Sequence, residues 1–326
     1  MPLLPSNVHV DAALTNISVA FAQEQNRFIA SQAFPNVPVS KLTDKYFVFD
    51  KGNYLRSTAD LRAPGSPTRG ANYSLSTATY DCKEYGVHQA LDDLVIGNAD
   101  PALNIEVSTT QYITEQLLIK RESVFAATAF TTGVWKGSSK ALGADITTGD
   151  LSAGDWDTAN SAPIFDIMRE IAAVEAKTAR RPNILVLGKD VYTALSTNAD
   201  ILDRIKYTQT GVVTTDLLAG LFGLEKVIVP GAIQNTGPEG GTDALSYVFG
   251  PKNAALYYIP SSPGLMTPSA GYMFSFTGVP GGNALGFRVK NYREERIHSQ
   301  VIEALAAFDF KIVSDQLGVF FDGCVS

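Results

Sequence analysis

From Leu103 to Phe130 the chain runs without a glycine or a proline. Across that stretch Leu103, Val107, Ile113, Leu117 and Val124 recur near the helical period, with Leu118 and Phe125 widening the apolar stripe. Asp100 is placed to cap and Pro101 to take the first helical position, while Gly133 ends the run. At 1.5 Å per residue, about 28 residues make a rod of roughly 40 Å. Few folds accommodate such a rod. The spacing predicts a helix over 101–131 whose stripe, Val107, Ile113, Leu117 and Val124, packs on strands returning from the C-terminal end.

Upstream the grammar differs. Residues 1–40 carry early prolines, a short apolar-periodic piece from Ile17 to Phe28 and then Phe34-Pro35-Asn36-Val37-Pro38-Val39. Such an arm has little core of its own and is ordered only by lying on something else. Two extended stretches follow, Tyr46 to Phe49 and Tyr73 to Tyr80, with apolar and β-branched residues alternating. The connection between them, Lys51 to Asn72, holds three glycines, two prolines and four cations: Lys51, Arg56, Arg62 and Arg69. It is too polar to bury, and a connection that long inside a compact domain marks a projecting, functional loop. An isolated hairpin is marginal in water, so this one is expected to lie on a partner subunit, with its four cations as contact residues facing carboxylates there.

Downstream, Trp135 to Ala162 is glycine-rich loop, and Pro163 opens a second amphipathic helix. Short apolar runs then alternate with short helical pieces: strands at 184–188, 226–230, 245–249 and 254–259, and helices at 189–195, 201–205 and 214–222. The tail returns to strand at 287–291, 297–308, 309–313 and 317–321. There is no regular βαβ repeat, so the class is α+β.

Charged residues are only 18% of the 326, against about 25% in an ordinary globular protein, so much of the surface is expected to be covered, most simply by other copies. Lys plus Arg is 26 against 33 Asp plus Glu, a net charge of −7, which disfavours tight binding to a phosphate backbone. No run approaches the 20 or so apolar residues of a membrane helix, and no signal peptide is visible. Cys82 and Cys324 suit a reduced compartment. His9, His88 and His298 are far apart in sequence, no Cys-x-x-Cys or Gly-x-Ser-x-Gly motif is present, and the glycine clusters at 237–241 and 278–282 lack the Lys-Ser/Thr of a phosphate loop. They read as turns. The acidic pairs Asp92-Asp93 and Glu294-Glu295 read as a solvated face or an intersubunit salt bridge. No catalytic, cofactor or metal site is expected.

Arm, extended hairpin, long helix, mixed segment and returning strands together resemble the major capsid proteins of tailed phages with the HK97-like fold. Tyr46-Phe47-Val48-Phe49-Asp50-Lys51-Gly52, Leu61-Arg62-Ala63-Pro64-Gly65, Cys82-Lys83-Glu84-Tyr85-Gly86-Val87, Ile184 to Gly188 and Phe308 to Val313 carry the likeness. The resemblance implies an N-terminal arm over 1–40, an extended hairpin (E-loop) over 41–95 and a peripheral (P) domain over 96–180 holding the spine helix. It further implies an axial (A) domain over 181–290 and C-terminal strands over 291–326 returning to the peripheral domain. Its functional implication is self-assembly as hexamers and pentamers into an icosahedral shell around double-stranded DNA held without sequence-specific contacts. Partners would be a separate scaffolding protein, a portal and a decoration protein; the place would be the virion, assembled in the bacterial cytoplasm. Some members join a loop Lys to a neighbour's Asn; Lys51, Asn291 and Glu294 offer the residue types, but such residues are too common to predict the bond. An encapsulin-like nanocompartment is the alternative on the same fold, and a soluble α+β enzyme with an unrecognised site the alternative outside it.

Overall fold

The computed structural model describes residue 23 and residues 25–49, 51–99, 104–206, 212–264, 267–278 and 283–326. Most of the arm, the expected Asp100-Pro101 cap and most of the 278–282 turn therefore lie outside the described residues.

Two five-stranded sheets organise the chain. The first contains β1 (Asn36–Val39), β4 (Lys83–Asp92), β11 (Gly271–Phe276), β12 (Phe287–Glu294) and β13 (Ser299–Ile312). The last of these is one continuous strand where the sequence had read as two. Residues 299–308 pair antiparallel with β4 while 299–306 pair with β12, so those two flank β13 on opposite edges. Its far end, 308–312, pairs with β11, which in turn takes β1 in parallel. The second sheet has the order β5 (Ile146–Thr147), β14 (Gly318–Asp322), β10 (Ala254–Tyr257), β6 (Ile184–Leu187) and β7 (Lys226–Ile228). The tail thus divides: β13 belongs to the first sheet, whereas β14 enters the second between β5 and β10, away from the peripheral strands it was expected to accompany.

The spine helix runs Ile105–Ala129, with the Asn104 side chain accepting the Val107 amide at its N-terminus. Its C-terminal end is held by two neutral donors on one carbonyl: Trp135 Nε1 and Tyr257 Oη each lie 2.7 Å from the oxygen of Ala129. Orphan carbonyls at a helix end need such partners. The helix lies on β13, and one core joins Ile113, Leu117, Phe125 and Ala129 to Ile302, Ala304, Phe308 and Phe310. A second core gathers Ile164, Ile167 and Ile171 of the helix Pro163–Thr178 with β6, β10, β14 and the helices Lys189–Thr197, Ala199–Ile205 and Thr215–Phe222.

Within that second region three polar or aromatic side chains do structural work, Asp166, Trp156 and Glu170, the last a correction, since the helical period places Glu170 on the outer face and the loop at Ser139 covers it. Asp166, fully buried, accepts the Ser152 amide at 3.0 Å and the Trp156 indole at 3.1 Å. Glu170, equally buried, accepts both the amide and the hydroxyl of Ser139 at 2.6 Å and the Arg169 Nε at 2.9 Å. A buried carboxylate is tolerated when its lone pairs are filled in this way.

Candidate assembly surface

The hairpin is β2 (Thr43–Phe49) paired antiparallel with β3 (Leu75–Asp81), a two-stranded sheet separate from the other two. Its root is fixed by aromatic packing: Tyr80 stacks on Phe274 at 4.6 Å between centroids, Tyr46 meets the same ring at 5.6 Å, and Cys82 is buried beside them. The Asp81 amide donates to Asp309 of β13 at 2.9 Å. Past a short helix, Lys51–Tyr54, regular structure stops until Leu75.

Local contacts give that loop its shape. A turn closes from the Ser66 amide to the Ala63 carbonyl, with Gly65 at φ +83°, where a side chain would be strained. The four cations are placed differently from one another. Lys51 Nζ donates to the Lys177 carbonyl at 3.1 Å and to the Gln316 side chain, tethering the loop base to its own body. Arg62 Nε donates to the Ser66 carbonyl at 2.6 Å, and Arg69 pairs with Asp60 at 2.7 Å, so one expected carboxylate partner is supplied within the loop itself. Arg56 is exposed. Beside these charges sit apolar side chains that water alone covers in a single copy: Leu61 is 104% exposed, and Phe47, Leu55, Tyr73 and Leu75 are exposed too. Exposed apolar residues clustered on a projecting element mark an interaction site. Exposed ion pairs contribute only about 0–1 kcal/mol each, so burial of the apolar residues would supply most of the contact energy.

The described part of the arm docks on the spine helix. Gln23 donates from its amide to Glu115 at 2.9 Å and bonds both polar groups of Ile233 through its side chain. Deeper in, Glu122 accepts the amides of Ile29 at 3.0 Å and Ala30 at 2.9 Å, capping the short helix Ala30–Ala33 from a buried position. Desolvation pushes that carboxyl up to about 7, against the pull of the two amides and of Arg121. Phe34 then enters the core edge-on to Phe125 at 5.0 Å.

The expected spine stripe divides. Ile113 and Leu117 are 0% and 1% exposed, and Val124 packs partly buried against the same core. Val107 is a correction: it is 49% exposed, because the buried row at this end runs Ile105, Thr109, Ile113 and Leu117 at four-residue spacing and turns Val107 to the other side of the helix. Glu122 and the neighbouring Arg121 were missed. Arg121 continues the row of Leu117 and Phe125 at four-residue spacing and packs on the Phe287 ring, whereas Glu122 lies off that row and is buried where the arm binds it.

Among the described residues no group of three or more His, Cys, Asp or Glu could hold a metal, and no helix is long and apolar enough to cross a membrane. The acidic pairs meet each other through one cation: Arg293 bonds Asp93 at 2.7 Å and Glu295 at 2.8 Å within the chain, which holds the Asp93 carboxyl below its ordinary range. The glycines at 237–241 form a turn, closed from the Gly241 amide to the Pro238 carbonyl. Asn291 accepts from Gln300 at 3.0 Å on β12, and Lys51 is engaged elsewhere.

A long helix on a mainly antiparallel sheet, an arm crossing it, a projecting hairpin and a second mixed sheet together make the HK97-like fold, that of shell-forming proteins. A phage-related protein from Bordetella bronchiseptica superposes with a TM-score of 0.69 at 18% identity, covering 93% of each chain. An encapsulin from Synechococcus elongatus superposes at 0.57 with 12% identity, covering 97% of this chain and 95% of that one. In sequence, the chain is 27% identical over 277 residues to the major capsid protein of Burkholderia phage BcepMu, covering 83% of this chain and 85% of the relative. It is 25% identical over 326 residues to the major capsid protein of Pseudomonas phage JBD67, covering 97% of both. No protein-family model matches the chain. The chain resembles the phage major capsid proteins in sequence and carries their fold.

Proposed function

We propose that this chain is the structural major capsid protein of a phage, assembling through its own copies, as hexamers and pentamers, into an icosahedral shell that encloses double-stranded DNA. The observation that carries the reading is the joint one of an HK97-like body and sequence likeness to two phage major capsid proteins, over 97% of both chains for one of them. The hairpin loop supports it physically. Its root is welded to β11 and β13, while its tip offers Leu61, Leu55 and three arginines to solvent. A neighbouring copy is the surface that would bury them, and Lys51, Arg56, Arg62 and Arg69 would lie along that contact. The spine residues Ile113, Leu117 and Val124 keep the body rigid beneath it. The net charge of −7 suits a wall that holds DNA without adhering to it. A scaffolding protein, a portal and a decoration protein are the further partners of this reading, in a virion assembled in the bacterial cytoplasm, and no catalytic role is assigned.

The encapsulin likeness makes a protein-filled compartment the second reading. Electron microscopy of the purified protein, with light scattering and the 260/280 nm absorbance ratio of the same sample, tests both. Closed shells tens of nanometres across, or capsomer rings, are expected on assembly. Shells recovered from infected cells should hold DNA; shells filled with an enzyme would support the compartment. A chain that stays monomeric at high concentration and turns over a substrate would refute both.

A further inference from the structure

Arg121 is 4% exposed, yet its guanidinium is poorly matched within its own chain. Among the described residues, Nε is buried without a hydrogen-bond partner. Glu122 Oε1 lies 3.9 Å from Nη2, too far for a hydrogen bond, and that oxygen already takes the Ala30 amide. The remaining contact is the face of the Phe287 ring, 5.4 Å from the guanidinium carbon. A forked donor in a low-dielectric site is stable when a carboxylate fills it, and costly when left unmade.

The side chain lines a groove of about 580 Å³ between the arm, the spine helix and β12. Its walls carry apolar side chains, Leu117 and Leu118 on the helix and Leu285, Phe287 and Val289 opposite, interleaved with the polar Gln32, Thr114 and Asn283. The other cation there, Arg288, is already satisfied by Glu84 at 2.9 Å. The groove is open at its rim, where Val289 is 51% exposed. It thus combines an apolar strip with polar neighbours and one guanidinium without a matched anion.

We propose that this groove is a docking site for a second copy of this chain, which seats a carboxylate side chain on Arg121 and an adjacent apolar side chain against Leu118 and Phe287. Charge complementarity selects the occupant: with 33 acidic residues against 26 basic ones, each copy presents surplus carboxylates to its neighbours. The proposal rests on the shell reading above and adds to it a specific contact.

The test measures two quantities for each variant: the critical concentration for assembly, by light scattering, and the thermal midpoint of the unassembled chain. Arg121→Met is expected to raise the critical concentration at least tenfold while leaving the midpoint unchanged or higher, since it removes a cation unmatched in the single copy. Arg121→Lys should fall between, keeping the charge without the fork. Val289→Glu, on the exposed rim, should also impair assembly without moving the midpoint, and it decides the matter if Arg121→Met fails to fold. Assembly of both Arg121→Met and Val289→Glu at the wild-type concentration would overturn the proposal and leave the shell reading intact. A wild-type chain that never assembles would overturn both. In a map of the assembled shell, a carboxylate of a second copy within hydrogen-bond distance of Arg121 is expected; the chain's own N-terminal residues or an unrelated polypeptide in the groove would refute the assignment.

Discussion

Glu122 ties the arm to the spine helix with a carboxylate that burial pushes from an ordinary value of 4.5 to about 7. Its proton is therefore held more tightly in the folded chain than in the unfolded one. Stability from this group is fully present below about pH 4.5, falls as the pH rises, and is lost above pH 7. A shift of some 2.5 units at 1.36 kcal/mol per unit makes the whole change about 3 kcal/mol, most of it between pH 5 and pH 7. With an unfolding entropy of about 2.1 cal/mol/K per residue, a chain of this length loses about 1.5 °C per kcal/mol, so the midpoint should drop by roughly 4–5 °C across that window. Glu122→Gln keeps an acceptor for one arm amide and removes the titration. The assay is calorimetry of unassembled wild type and Glu122→Gln at half-unit steps from pH 4.5 to pH 8. Subtracting one profile from the other cancels every titrating group that the substitution does not touch. A difference that is large at pH 8 in favour of the variant and reverses toward pH 5 is expected. Parallel profiles would refute the reasoning, showing that the carboxylate is solvated or that the arm is not anchored there.

Four further outcomes follow from the packing and the exposed loop. Leu117→Ala, at 1% exposure between the spine helix and the first sheet, should cost about 2–5 kcal/mol by chemical denaturation, and an unchanged midpoint would contradict its burial. Gly271→Ala places a methyl 2.2 Å from the Phe34 ring, so it should destabilise the chain by about 1–3 kcal/mol and expose the arm to limited proteolysis at residues 29–35. The Cys82 thiol, pushed up to about 12 by desolvation with Asp309 and Asp81 adding to it, and the buried Cys324 should react with a thiol reagent only on unfolding; rapid labelling of the native chain would refute their burial. Excising 56–72 should leave the midpoint of the unassembled chain in place and abolish shell formation, and intact shells would remove the hairpin loop from the contact.

Much of this architecture is legible in local pattern, because local pattern reflects what a residue meets within a turn or a strand. The spine helix, Pro163 at the start of the next helix, the hairpin strands and the unburiable loop between them all follow from period, punctuation and polarity. Where pattern was silent, the partner was distant in sequence. Gly271–Phe276 became a central strand because β13 and β1 lay on either side of it, not because its own composition demanded one. Val107 and Arg121 show the same limit in opposite directions. Residue type assigns the first to the buried face and the second to the solvated one. The buried row Ile105, Thr109, Ile113 and Leu117 leaves Val107 on the other side of the helix, while Arg121 continues that row and the arm covers Glu122 beside it. Periodicity tells which residues share a face; which face is covered, and by what, depends on chain segments some 90 residues away. By itself the sequence determined the class of fold and the elements that reach outward. Only the tertiary structure decided that a titrating carboxylate anchors the arm and that the guanidinium beside it is left facing an open groove.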